Sequence, residues 1–139
     1  PILLIAGLAP QSAPTAQNST LEIKITDIRN TKGNFVLGFY KDNKSFAKRQ
    51  PFMRKQVEKS SLKSGILTYH LSLPSGTYGI ALLDDENKNG KIDYGFLLPV
   101  EGFGFSDYFH RGLTAPNFDA FDFRLTSSNK TVVIKMKYM

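Results

Sequence analysis

A chain of 139 residues with 41% apolar and 22% charged side chains suits one folded domain that buries a core without metal or disulfide staples. It contains no cysteine, which excludes a disulfide framework, a thiolate zinc site and a cysteine nucleophile. The formal charge of +6 favours solubility and an anionic partner.

Residues 1–9 form an apolar run without charge, and residues 10–17 are rich in small side chains. This pattern reads as a signal-peptide remnant with a cleavage region near Ala16, or else as an apolar strand or flexible N-terminal segment. The run is too short to cross a bilayer as a helix, so no transmembrane segment is expected. The expected division is a leader over 1–17 and a folded domain over 18–139.

From Thr20 onward the hydrophobic period is two. Leu21, Ile23 and Ile25 alternate with Glu22, Lys24 and Thr26 as a half-buried strand. Residues 30–34 make a turn around Gly33, and 35–40 form a strand that is apolar on both faces and therefore central. The short link between these two strands predicts a hairpin. Residues 41–51 read as a polar loop anchored by Phe46, and 53–59 as a short strand. Residues 66–73 and 77–83 are strands joined by the Pro74-Ser75-Gly76 turn. Residues 120–125 and 131–138 supply the last two alternating strands. Roughly six or seven short strands with turns between them predict an all-β fold, a single antiparallel β-sandwich. Residues 84–119 are the exception, a long aromatic-rich loop region with little strand pattern; loops of this length are commonly functional.

Basic side chains concentrate between 41 and 63: Lys41, Lys44, Lys48, Arg49, Arg54, Lys55, Lys59 and Lys63, opposed there by Asp42 and Glu58. The stretch reads either as a patch for a glycan or other polyanion, or as a solvated strand edge on which lysines discourage edge-to-edge pairing. Aromatics are not interleaved as single-strand binding requires, so no nucleic acid is expected.

The first motif with chemical content is Asp85-x-Asn87-x-Asn89-Gly90-Lys91-x-Asp93. Oxygen ligands at alternate positions, a glycine at the sixth and a backbone carbonyl at the seventh match the front half of a calcium loop. The expected metal ligands are Asp85, Asn87, Asn89, Lys91 through its carbonyl, and Asp93. Phe96 stands where the helical calcium loop has its bidentate Glu, so the missing ligand would come from Glu101, Asp84 or Asp107. The alternative is a polar connection held by Asx turns. The second motif is Glu101-Gly102-Phe103-Gly104-Phe105-Ser106, whose glycine spacing fits no nucleotide loop. Phe103, Phe105, Tyr108 and Phe109 form either a partner-binding surface or rings that cover one open end of the sandwich. His70 and His110 are the two histidines, and no nucleophile elbow accompanies them, so no catalytic residues are assigned.

Taken in order, 73–78 (Leu-Pro-Ser-Gly-Thr-Tyr), the 85–93 motif, 101–106 and the segment from Pro116 to Phe123 make the chain resemble the bacterial family catalogued as domain of unknown function 2141. The resemblance spans Leu21 to Tyr138. Glu86 and Lys88 depart from it, standing where small residues such as Gly are frequent. The resemblance implies an exported protein of Gram-negative bacteria, periplasmic, outer-membrane-associated or at the cell surface, with an immunoglobulin-like or transthyretin-like sandwich. It implies no activity. The expectation is a non-catalytic exported module that binds a protein or envelope component and takes calcium. The alternatives are a glycan- or polyanion-binding module using 41–63, and a metal-dependent enzyme with a site between the 85–93 and 101–106 loops.

Overall fold

The computed structural model describes residues 18–88, 101–112 and 114–138. It is built from β1 (Asn18–Thr26), β2 (Asn34–Tyr40), a short helix α1 (Asn43–Ala47), β3 (Met53–Glu58), β4 (Leu67–Pro74), β5 (Gly76–Asp85), β6 (Phe103–Phe105), a 3-10 turn at Phe118–Ala120, β7 (Asp122–Leu125) and β8 (Lys130–Lys135). The strands form two facing sheets, as the period-two pattern predicts. One has the order β4-β1-β8; the other runs β3-β2-β5-β6, with β7 also on β5.

Three details depart from the sequence reading. β1 and β2 do not form a hairpin: β1 lies between β4 and β8, and β2 between β3 and β5. β1 is apolar on one face only, whereas every residue of β2 is buried. β2 therefore fits the sheet that is covered on both faces, and the short link crosses from one sheet to the other. Second, the pairing is not wholly antiparallel, because β1 and β8 run parallel. Third, the 41–51 loop contains α1. The Asp42 carboxylate accepts the Ser45 amide at 2.7 Å as an N-cap, which holds the Asp42 side chain below the ordinary carboxylate pKa.

The core lies in two places. Between the sheets, Leu21, Ile23, Ile25, Phe35, Leu37, Phe39, Ile80, Leu82, Val132 and Ile134 pack together. Each such side chain contributes about 1.5–3 kcal/mol by leaving water. A second, mostly aromatic cluster of Tyr40, Phe46, Ala81, Phe103, Phe105, Phe118 and Phe121 covers the outer face of the five-stranded sheet. Gly79 makes room for it: a Cβ there would lie 2.5 Å from a Phe118 ring carbon and 2.8 Å from one of Phe121.

β6 and β7 share one edge of β5, and Ile80 sits at the junction between them. Ser106 closes that gap. Its hydroxyl accepts the Ile80 amide at 3.0 Å and donates to the Phe121 carbonyl at 2.6 Å, while its own amide donates to the Ile80 carbonyl at 3.0 Å. β6 also reaches the other sheet, since Phe103 and Lys137 exchange backbone bonds of 3.0 and 2.8 Å.

Candidate functional site

Charged groups gather where β5 ends. Strand alternation sends Asp84 inward with Ile80 and Leu82, and Asp85 to the outer face with Ala81 and Leu83. Both acids are 0% exposed. Asp84 plugs the end of the inter-sheet core. Lys59 Nζ stands 2.6 Å from its Oδ1, and the Tyr138 hydroxyl donates to its Oδ2 at 2.7 Å. Lys59 Nζ also donates to the carbonyl and Oδ1 of Asn30, each at 3.3 Å, and lies 4.9 Å from the centre of the Phe35 ring. Burial lifts the Asp84 carboxyl above its ordinary range, and the bonds from Lys59 and Tyr138 pull it only part of the way back. Burial, together with the bond to Asp84, pushes the Tyr138 phenol far up.

Glu86 turns to the surface and receives Arg29 Nη2 and Asn30 Nδ2. Partial burial would raise its carboxyl, but these two bonds outweigh burial and hold it below the ordinary range. The Arg29 guanidinium in turn lies 4.5 Å from the centre of the Tyr138 ring. Lys59, Arg29 and Tyr138 thus reach this end of the molecule from three separate parts of the chain.

Of the expected metal ligands, Asp85 is buried at the end of β5 and Asn87 is exposed. Asn89, Lys91 and Asp93 lie outside the described residues. Of the three acids considered as the missing ligand, Asp84 is engaged by Lys59 and Tyr138. Asp107 accepts the Val133 amide at 2.8 Å. Glu101 is 9% exposed, and its carboxyl is raised by burial and then by the charges of Asp85, Glu86 and Asp84.

The expected partner surface divides. Phe103 and Phe105 are buried at 5% and 2% exposure and belong to the aromatic cluster. Tyr108 is half-buried, and Phe109 is exposed with Lys135 Nζ 5.1 Å from its ring centre. In the basic stretch, Lys59 is consumed by Asp84. Lys41, Lys44, Lys48, Arg49, Arg54, Lys55 and Lys63 are exposed on α1, β3 and the segments around them. His70 pairs with Glu22 on the surface at 3.0 Å, and buried His110 contacts the Thr114 carbonyl and the Tyr108 hydroxyl.

Sequence reasoning missed Lys59 and Tyr138. Lys59 was hidden in a run of surface lysines, and Tyr138 extended an ordinary alternating strand. For Lys59, one signal was present: it follows β3 directly, where the chain leaves a strand whose Val57 points into the core.

A family model described as "Uncharacterized protein conserved in bacteria (DUF2141)" matches residues 23–133. The chain belongs to this family. The match takes in both sheets from within β1 to within β8, so the polar end of β5 is part of the DUF2141 fold. No curated protein and no solved structure matches the chain. Among the described residues, no helix of this DUF2141 member is long and apolar enough to cross a membrane.

Proposed function

We propose that this DUF2141 domain is an exported, non-catalytic module that binds an acidic envelope component through the basic edge of its five-stranded sheet, with the 85–93 loop closed by calcium. The observation that supports binding is the distribution of charge. Lys41, Lys44, Lys48, Arg54 and Lys55 stand exposed on and around α1 and the edge strand β3, while Phe103 and Phe105 of the competing aromatic surface are buried. Export rests on the apolar start of the chain. An enzyme site between the 85–93 and 101–106 loops has weaker support, because the Ser106 hydroxyl is committed to Ile80 and Phe121.

Co-sedimentation with vesicles tests the binding. Protein should pellet with anionic vesicles and not with zwitterionic ones, and binding should fall steeply between about 50 and 200 mM salt as counterion release weakens. Replacing Lys44, Lys48 and Lys55 together by Glu should abolish it. Equal binding to both vesicle types, or indifference to salt, would refute this face. Calcium closure is tested by melting: at about 100 times the dissociation constant, calcium adds roughly 2.7 kcal/mol of stability. A melting temperature equal in chelator and in millimolar calcium would overturn it.

A further inference from the structure

We propose that Lys59 and Asp84 condense into an isopeptide bond, an amide between Lys59 Nζ and Asp84 Cγ that ties the end of β3 to β5. Phe35 of β2 stands between them, opposite Val57 on one side and Asp84 on the other. Lys59 follows Val57 by two residues, so it leaves the strand toward the same inner face. Its side chain reaches across Phe35, with Nζ 4.9 Å from the centre of that ring. Nζ stops 2.6 Å from Asp84 Oδ1, and the two side chains are 2% and 0% exposed.

Three features set this contact apart from an ordinary ion pair. First, Oδ1 is buried and has no donor of good hydrogen-bond geometry, so Nζ crowds the carboxyl group without lining up on a lone pair of Oδ1. The carboxyl carbon is one bond further on, and a small turn of the lysine side chain brings Nζ to the about 3–3.5 Å of a near-attack contact. Second, the Tyr138 hydroxyl donates to the other oxygen, Oδ2, at 2.7 Å, and itself accepts the Arg29 amide at 3.3 Å. A donor fixed on Oδ2 stands where negative charge develops when the carbon is attacked. Third, the carbonyl and Oδ1 of Asn30 hold Nζ in place at 3.3 Å each. An ion pair this deep carries the desolvation cost of two charges, and a neutral amide does not.

The reaction needs no outside reagent. A proton passes from the Lys59 ammonium to Oδ1, the freed lone pair forms the Nζ–Cγ bond, and the carbonyl π pair moves onto Oδ2 against the Tyr138 hydroxyl. A second Nζ proton then passes to Oδ1, the Cγ–Oδ1 bond breaks, and the pair on Oδ2 returns to restore the carbonyl. Ammonium and carboxylate become one amide and one water, with no change in net charge or oxidation state. The product closes residues 59–84 into a covalent ring, in a chain that has no cysteine for a disulfide.

The test is intact-mass spectrometry of the full chain, denatured after folding, followed by digestion. Wild type should weigh one water less than its sequence, and the digest should contain a branched peptide that joins Lys59 to Asp84. Lys59→Met and Asp84→Ala should each keep the full sequence mass. The branched peptide decides the matter on wild type alone if these variants fold poorly. Tyr138→Phe keeps the ring and removes the donor to Oδ2, so the lighter form should accumulate about 10²–10³ times more slowly in it than in wild type, the scale of losing one oxyanion donor. Accumulation at the wild-type rate would overturn the role given to Tyr138. Wild type that stays at its full sequence mass on prolonged incubation would overturn the proposal. So would a loss of water that persists in Lys59→Met, which would place an imide elsewhere in the chain.

Discussion

Lys59 Nζ lies 2.6 Å from Asp84 Oδ1, with the two side chains 2% and 0% exposed. A pair this deep is sensitive to the loss of one partner, because the other remains as an uncompensated buried charge. Lys59→Met and Asp84→Asn should each lower the unfolding free energy by about 3–5 kcal/mol. The double variant Lys59→Met/Asp84→Leu should recover much of that loss. Urea denaturation of the three variants measures this. Single losses of about 1 kcal/mol or less, the scale of an exposed pair, would mean that water reaches the site.

Gly79→Ala places a methyl group where the rings of Phe118 and Phe121 already sit, at 2.5 and 2.8 Å. The cost expected from overpacking is about 1–3 kcal/mol. Thermal melting checks it, and near-ultraviolet circular dichroism should show the aromatic cluster disturbed. A variant as stable as wild type would show that the aromatic cover shifts freely on the sheet.

Phe46 is 3% exposed and stacks edge-on against Tyr40 at 5.2 Å and Phe121 at 4.8 Å, so α1 is fastened to the sheet through one ring. Phe46→Ala should cost about 3–5 kcal/mol. Phe109 is 37% exposed, and Phe109→Ala should stay within about 0.5 kcal/mol of wild type. Chemical denaturation of the two variants side by side gives the comparison. Equal effects would place Phe109 in the core or Phe46 outside it.

The Glu86 carboxyl is held below its ordinary value of 4.5 by Arg29 and Asn30. A group whose folded pKa is depressed stabilises the native state fully above its unfolded pKa, and that contribution is lost as pH falls through the folded value. The stability difference between wild type and Glu86→Gln should therefore be constant from neutral pH down to about 5 and then shrink as the solution is acidified further. Urea midpoints of both proteins across that range measure it. A difference that grew on acidification would reverse the assigned direction.

Much of the architecture was legible in the sequence because a strand writes its own periodicity. Leu21, Ile23 and Ile25 alternate whatever they pair with, and β2 showed that both its faces would be covered. Which strands pair was not legible. The link between β1 and β2 is short enough for a hairpin, yet the chain crosses between sheets there, because β1 has one apolar face and β2 has two. The α1 helix is too short to write a period, and its determinants are the Asp42 cap and the Phe46 anchor.

At the polar end of β5, the sequence by itself determined that acidic side chains would cluster from Asp84 to Glu86 and that a Gly-flanked aromatic segment would follow Glu101. Only the tertiary structure decided how those acids are used. One step along the strand turns Asp84 inward to Lys59 and Tyr138, and leaves Asp85 on the outer face opposite Asn34. Those partners stand 25 positions from Asp84 for Lys59 and 54 for Tyr138. Pattern along the chain records which way a side chain points, but which distant group meets it is fixed by the register of the sheets.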